Sequence, residues 1–186
     1  MVRILLQMLI CLFCVSSSYG QHIATKTNLA YWATTTPNVG VEIALSPKTT
    51  LDISGNYNAW TFLPDGMSLR HVLVQPEFRY WPCKSFEGHF FGVHGFWSKY
   101  NIGQIPFISS LDQYTYRGHL YGGGVSYGYH FALGRRWGLE LSLGVGYAYL
   151  EYNKYVCTEC AELIGRYKRH YYGPTKLGVS IIYLIH

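Results

Sequence analysis

Charge is what this sequence has least of. Only 13% of its 186 residues are Asp, Glu, Lys or Arg, about half the ~25% usual for soluble globular chains, so an ordinary water-facing surface is excluded as the simplest reading. Long hydrophobic runs are missing as well. Beyond residue 20 no stretch approaches the roughly 20 apolar residues that a membrane-spanning helix needs. Charge of one sign is not in great excess either: 15 basic against 10 acidic residues leave +5. The basic residues are scattered except between Arg166 and Arg169, so a nucleic-acid partner is not expected. Cysteines number five in all; past residue 20 only Cys83, Cys157 and Cys160 remain, too few for a disulfide framework.

What the chain does have is tyrosine and glycine, 18 and 20 of them, with aromatics at 17%. It also has a distinct beginning. Arg3 is followed by an uncharged apolar run from Ile4 to Val15, then by small and polar residues to Ser18-Tyr19-Gly20. That is the pattern of a secretory signal peptide over residues 1–20, with small residues at minus three and minus one before a cut at Gln21. The apolar run is too short for a membrane helix. The residues ahead of Cys11 and Cys14, Ile10 and Phe13, are too bulky for a lipoprotein signal. Residues 21–186 then form one domain.

Within that domain the strongest pattern has period two. From Trp137 the odd positions read Trp137, Leu139, Leu141, Leu143, Val145, Tyr147 and Tyr149, and the even ones Gly138, Glu140, Ser142, Gly144, Gly146 and Ala148. Successive strand side chains point to opposite faces, so this segment has one apolar face and one that tolerates a carboxylate. Thr175, Leu177, Val179, Ile181, Tyr183 and Ile185 repeat the design against Lys176, Gly178 and Ser180. The same reading predicts strands near Ile23 to Trp32, Asn38 to Leu45, Thr50 to Trp60, Arg70 to Trp81, Gly88 to Tyr100, Tyr114 to Phe131, Trp137 to Tyr152 and Tyr171 to Ile185.

Eight such strands imply an all-β, antiparallel, up-and-down transmembrane β-barrel. Closure would leave no unpaired backbone facing lipid. The connections alternate in length as such a barrel requires. Ser46 to Thr49, Pro82 to Glu87 and Ala132 to Arg136 are short, and Thr61 to Ser68, Asn101 to Gln113 and Asn153 to His170 are long. Only Ala33 to Pro37 is shorter than its place demands. Short turns on the periplasmic side put both termini there and assign the protein to the outer membrane. Aromatics gather at the strand ends: Tyr31, Trp32, Tyr57, Trp60, Trp97, Tyr100, Tyr147 and Tyr149 at the outer ends, and Tyr80, Trp81, Tyr129, Phe131, Trp137 and Tyr183 at the inner. Tyr and Trp favour the headgroup level.

With the apolar face outward, the interior would hold Lys26, Asn28, Glu42, Asp52, Asn56, Glu77, Arg79, Glu140 and Lys176. Eight strands enclose a space that side chains fill. Lys26, Glu42, Glu77, Arg79, Glu140 and Lys176 are therefore expected to pair into a charge network rather than line a pore. His71, His89, His94, His119 and His130 are the candidates for a catalytic role, but none shares a marked spacing with a Ser and a carboxylate. No catalytic set, cofactor site or metal site is expected. Gly122-Gly123-Gly124 lies within a strand, where it suits close packing and not a phosphate cradle. The cluster Arg166, Lys168, Arg169 and His170 is read as part of the last long loop, solvated or touching anionic headgroups. Cys157-Thr158-Glu159-Cys160 suggests a small loop disulfide. Cys83, in an inner turn, is too far away to join it.

Several segments also resemble a known family. They are Lys26-Thr27-Asn28-Leu29, Pro37-Asn38-Val39-Gly40-Val41-Glu42, Gln75-Pro76-Glu77-Phe78-Arg79-Tyr80-Trp81, Gly88-His89-Phe90, Tyr127-Gly128-Tyr129 and Gly173-Pro174-Thr175-Lys176. Together these are similar to the small outer-membrane barrels catalogued as domain of unknown function 3575. The resemblance implies a fold and a location, with a hint of fimbrial or surface-assembly neighbours. Lys176, Gly178, Ile181 and Tyr183 further look like the signal that barrel-assembly machinery reads on a final strand.

The function expected is non-enzymatic: a structural or surface-interaction role in envelope integrity, adhesion or fimbria-associated assembly, through external loops. Its expected partners are outer-membrane lipid, lipopolysaccharide, the assembly machinery and other surface proteins. A lipid-modifying outer-membrane enzyme is the alternative from another class. A soluble lipocalin-like binding barrel, with its aromatics lining an interior pocket, is a third.

Overall fold

Alternation of apolar with small or polar residues becomes strand after strand in the computed structural model, which describes residues 23–62, 67–103, 114–155 and 163–185. The segment 1–20 and the Cys157/Cys160 pair lie outside the described residues. In chain order the elements are β1 (Ile23–Asn28), α1 (Leu29–Trp32), β2 (Asn38–Ser46), β3 (Thr49–Asn58), β4 (Thr61–Phe62), β5 (Met67–Tyr80), β6 (Gly88–Gly103), β7 (Thr115–Ala132), β8 (Trp137–Tyr155) and β9 (Leu163–Leu184). Each strand pairs antiparallel with its neighbour in sequence, except that β5 pairs with both β3 and the two-residue β4. The first strand then pairs with the last, Ala24 opposite Leu184 through Asn28 opposite Ser180. The result is a closed ring of eight antiparallel strands with up-and-down connectivity, in which β4 only prolongs the β3–β5 hairpin. Every strand of the ring thus has a neighbour on both sides near the short-turn end, while β9 from Leu163 to Val179 pairs with β8 alone because β1 stops at Asn28.

One end of the ring is made of tight turns. Pro47 and Lys48 join β2 to β3, where the Ser46 and Thr49 hydroxyls lie 2.7 Å apart. Leu133 closes the β7–β8 turn by donating its N–H to the Trp137 carbonyl at 2.9 Å. The segment between β5 and β6 packs on the first turn, with Trp81 N–H donating to Lys48 and Ser85 N–H to Pro47, each at 2.8 Å. Phe86 takes φ 65° there, a conformation that costs a non-glycine residue energy. Its ring offsets this by packing into a small core with Ala24 and Ile182.

At the opposite end three sequence expectations are corrected. The first strand stops at Asn28, not at Trp32, because the Asn28 side chain caps a helical turn by accepting from Ala30 N–H. The first connection therefore runs from Leu29 to Pro37, and the length alternation holds around the whole ring. Strands β5, β6, β8 and β9 also run further at this end than expected. Arg166 to His170 belong to β9, paired with Asn153 to Tyr149, where Tyr152 stacks on Tyr167 and Lys168 meets Glu151 at 3.3 Å. Cross-strand pairs of this kind stabilise a ladder, which is why the segment is strand rather than loop.

Sidedness is uniform. On β8, Gly138, Glu140, Ser142 and Gly144 are buried, whereas Leu143 is 54% exposed and Val145 51%. The same holds for Val39 on β2, Val93 on β6, Val125 on β7 and Leu177 on β9, all more than half exposed. Among the described residues the buried polar ones outnumber the buried apolar ones, the reverse of the usual apolar core. Among the described residues no helix is long and apolar enough to cross a membrane.

Candidate functional site

Inward side chains make two stacked features: an ionic cluster towards the short-turn end and an open cavity at the long-connection end. The cluster is built around Arg79, a fully buried inward position of β5. Its guanidinium reaches Glu42 at 2.8 Å, both Glu140 oxygens at 2.7 and 3.0 Å, Glu77 at 2.9 Å and Asp52 at 3.3 Å. The planar fork matches carboxylate geometry, and its two bonds to Glu140 form a bidentate pair. One face of the guanidinium lies 4.2 Å from the Phe90 ring centre, so an aromatic ring covers the side that carboxylates leave open.

Two ammonium groups complete the arrangement. Lys26 on β1 reaches Asp52 at 2.8 Å and Glu42 at 3.0 Å. Lys176 on β9 bonds Glu77, which also accepts from the Ser126 hydroxyl. Thr50 donates to Glu42 and accepts from Trp81 Nε1 at 3.0 Å. Lys26, Glu42, Glu77, Arg79, Glu140 and Lys176 are thus brought together with Asp52, three cations among four carboxylates. Their approach depends on small residues at intervening inward positions. A Cβ on Gly92 would collide with Glu77 and Ser126, and one on Gly144 would press on His94 and Lys176.

Among these side chains the open space shrinks to about 30 Å³, lined in part by Gln75, Arg79, Glu140 and Lys176. That is room for a water molecule or two, not for a continuous channel. Towards the long-connection end the ring opens into a cavity of about 950 Å³, with Asn58, His71, Tyr100, Tyr152 and Tyr167 in its lining.

The candidate histidines are dispersed. His94 is buried in the interior with Nε2 2.9 Å from the Thr175 hydroxyl, and His130 is buried against Trp81. His89 and His119 are exposed, the first bonded to the Tyr127 hydroxyl at 2.6 Å and the second stacked on Trp97. Around these four no serine–histidine–carboxylate chain forms. His71 faces the cavity. Trp81 is a correction: expected at the inner headgroup level, it is fully buried and packs on Phe90 at 4.9 Å. Trp81 shares the parity of the inward Glu77 and Arg79, so alternation continued one step past β5 already points it inward; residue type alone suggests the headgroup level.

A family model described as protein of unknown function (DUF3575) matches residues 5–185. No curated protein and no solved structure matches the chain.

Proposed function

The chain belongs to the family of unknown function DUF3575, and from its geometry we propose that it is an integral outer-membrane β-barrel with a non-enzymatic, structural or surface-interaction role. The observation that carries this reading is the inverted sidedness: a bare apolar wall around an ionised interior. Burying apolar side chains gains roughly 25 cal/mol per Å², and a folded chain gains that for its outward rows only where the surroundings are themselves apolar.

The dimensions agree with a bilayer. Outward residues of β7 stay apolar or aromatic from Phe131 to Tyr121, with only Gly123 between them. At about 3.3 Å per residue and a tilt of about 40°, that span rises about 25 Å, the height of the apolar band in barrels of this class. Aromatics bracket it, with Trp137 and Tyr183 in edge contact at one end and Tyr121 against Tyr149 at the other. The ionic cluster gives the ring a filled interior, which favours a scaffold over a conduit. The open cavity and the long connections at the other end are where a surface partner, fimbrial or otherwise, would bind.

Membrane fractionation of the full chain in a Gram-negative host, with electrophoretic mobility compared before and after heating, tests the location. Recovery in the outer membrane with a heat-dependent mobility shift is expected. A chain that stays soluble without detergent overturns the reading. Crosslinking to envelope proteins tests the role, and replacement of His94, His119 or His130 should leave the lipid A acyl pattern unchanged.

A further inference from the structure

Strand alternation places two rows of residues on the outer face of β6 to β9, the second reaching β5, just beyond the apolar wall; the same backbone segments border the open cavity on the inner face. Cross-strand register aligns Lys99, His119, Glu151 and Lys168 in one row. The next aligns Arg70, Asn101, Arg117, Asn153 and Arg166. Immediately below lie Trp97, Tyr121, Tyr149 and His170. The rows share one face: Trp97 stacks on His119 with ring centres 5.9 Å apart, and the Tyr149 hydroxyl donates to Glu151 at 3.3 Å.

Five cations and one carboxylate stand in the two basic rows, 5 − 1 = +4, while the entire chain, connections included, carries +5. Basic residues dispersed along the sequence are therefore gathered into a collar by strand register. Arg70, Lys99, Arg117, Arg166 and Lys168 are all exposed. Among the described residues the collar's one ion pair is Lys168 with Glu151.

We propose that this collar binds the phosphate groups of lipopolysaccharide, whose lipid A acyl chains lie along the apolar wall below. The proposal rests on the outer-membrane reading. Its occupant follows from continuity of two surfaces: cations alone would suit any polyanion, but here they border a bare apolar wall with an aromatic row at the boundary. A polyanion without acyl chains would leave that wall uncovered. Neighbouring strands are about 4.8 Å apart and same-face residues of one strand about 7 Å, so Lys99, Arg117 and Arg166 can bracket phosphates at both ends of a disaccharide. Arginine and lysine are suited to this, the first by its fork and the second as a point charge.

The test uses full-length protein reconstituted in neutral phospholipid nanodiscs. It measures binding of hexa-acylated bisphosphoryl lipid A, of the same lipid stripped of both phosphates, and of phosphatidylglycerol. Variant R70Q/K99Q/R117Q/R166Q is compared with the unaltered chain; Asp65, Asp112, Glu159 and Glu162, which lie outside the described residues, are left in place. Each basic group near an anionic surface is worth roughly fivefold, so the variant is expected to bind bisphosphoryl lipid A about a hundredfold more weakly or worse, while keeping its heat-dependent mobility. The unaltered chain should prefer the bisphosphoryl form to both other lipids. Equal binding of phosphorylated and stripped lipid, or of phosphatidylglycerol and lipid A, overturns the collar whether or not the variant folds. Failure of the unaltered chain to enter nanodiscs at all overturns the membrane reading instead.

Discussion

Arg79 is the residue on which the interior turns. Its side chain bridges carboxylates from β2, β3, β5 and β8, and among the described residues no other touches so many strands through charge. Replacing it by Met removes the cation but leaves Glu42, Glu77 and Glu140 buried, and breaking a buried pair in this way typically costs about 3–5 kcal/mol. We expect R79M to lower the urea midpoint in detergent accordingly. The double variant R79M/E140Q should recover part of the loss, because it removes one of the stranded charges. An unchanged midpoint for R79M would show that the cluster contributes nothing to stability. The inward position of Arg79 was legible from alternation with Phe78 and Tyr80. Its partners were not, because register between strands far apart in sequence decides which carboxylates arrive at the same height.

At the scale of the element, β8 shows how far periodicity reaches. Its outward Leu143 and inward Ser142 follow from the sequence pattern alone. In a bilayer, Leu143→Arg should cost about 2–4 kcal/mol, since an arginine near the midplane of the apolar band must be desolvated or drawn to an interface. The same substitution at Asn153, on the same face but in the basic collar, should cost about 0–1 kcal/mol. Unfolding midpoints of L143R and N153R in lipid vesicles give the comparison, and equal effects would argue against a bilayer around the wall. Strand ends were less legible than strand faces. Polar residues such as Arg166 and Lys168 read as loop when taken alone. Paired with Asn153 and Glu151 they extend the ladder, and the pairing is a property of two segments, not of one.

The whole molecule is a closed ring whose passage is blocked by its own side chains. Reconstituted in a planar bilayer, the full chain should therefore give no steady ionic conductance. Reproducible current steps would show that the cluster opens. Closure also separates the two ends of the ring. Cys83 is exposed in the segment between β5 and β6, at the short-turn end. With that end facing the periplasm, a membrane-impermeant maleimide added to intact cells should leave Cys83 unmodified and label it only after the outer membrane is permeabilised. Labelling of Cys83 on intact cells would invert the orientation. A Cys157–Cys160 disulfide, expected from spacing in an oxidising compartment, predicts that the same reagent finds neither of those thiols free until the protein is reduced.

Sequence by itself determined which face of each strand is apolar, how many strands there are, and the alternation of short and long connections, because these depend on local periodicity and turn chemistry. Tertiary structure alone decided the convergence of four carboxylates on Arg79 and the gathering of separated basic residues into one collar. Each of those depends on the stagger between paired strands, a quantity fixed only when the ring closes and every strand has a neighbour on both sides.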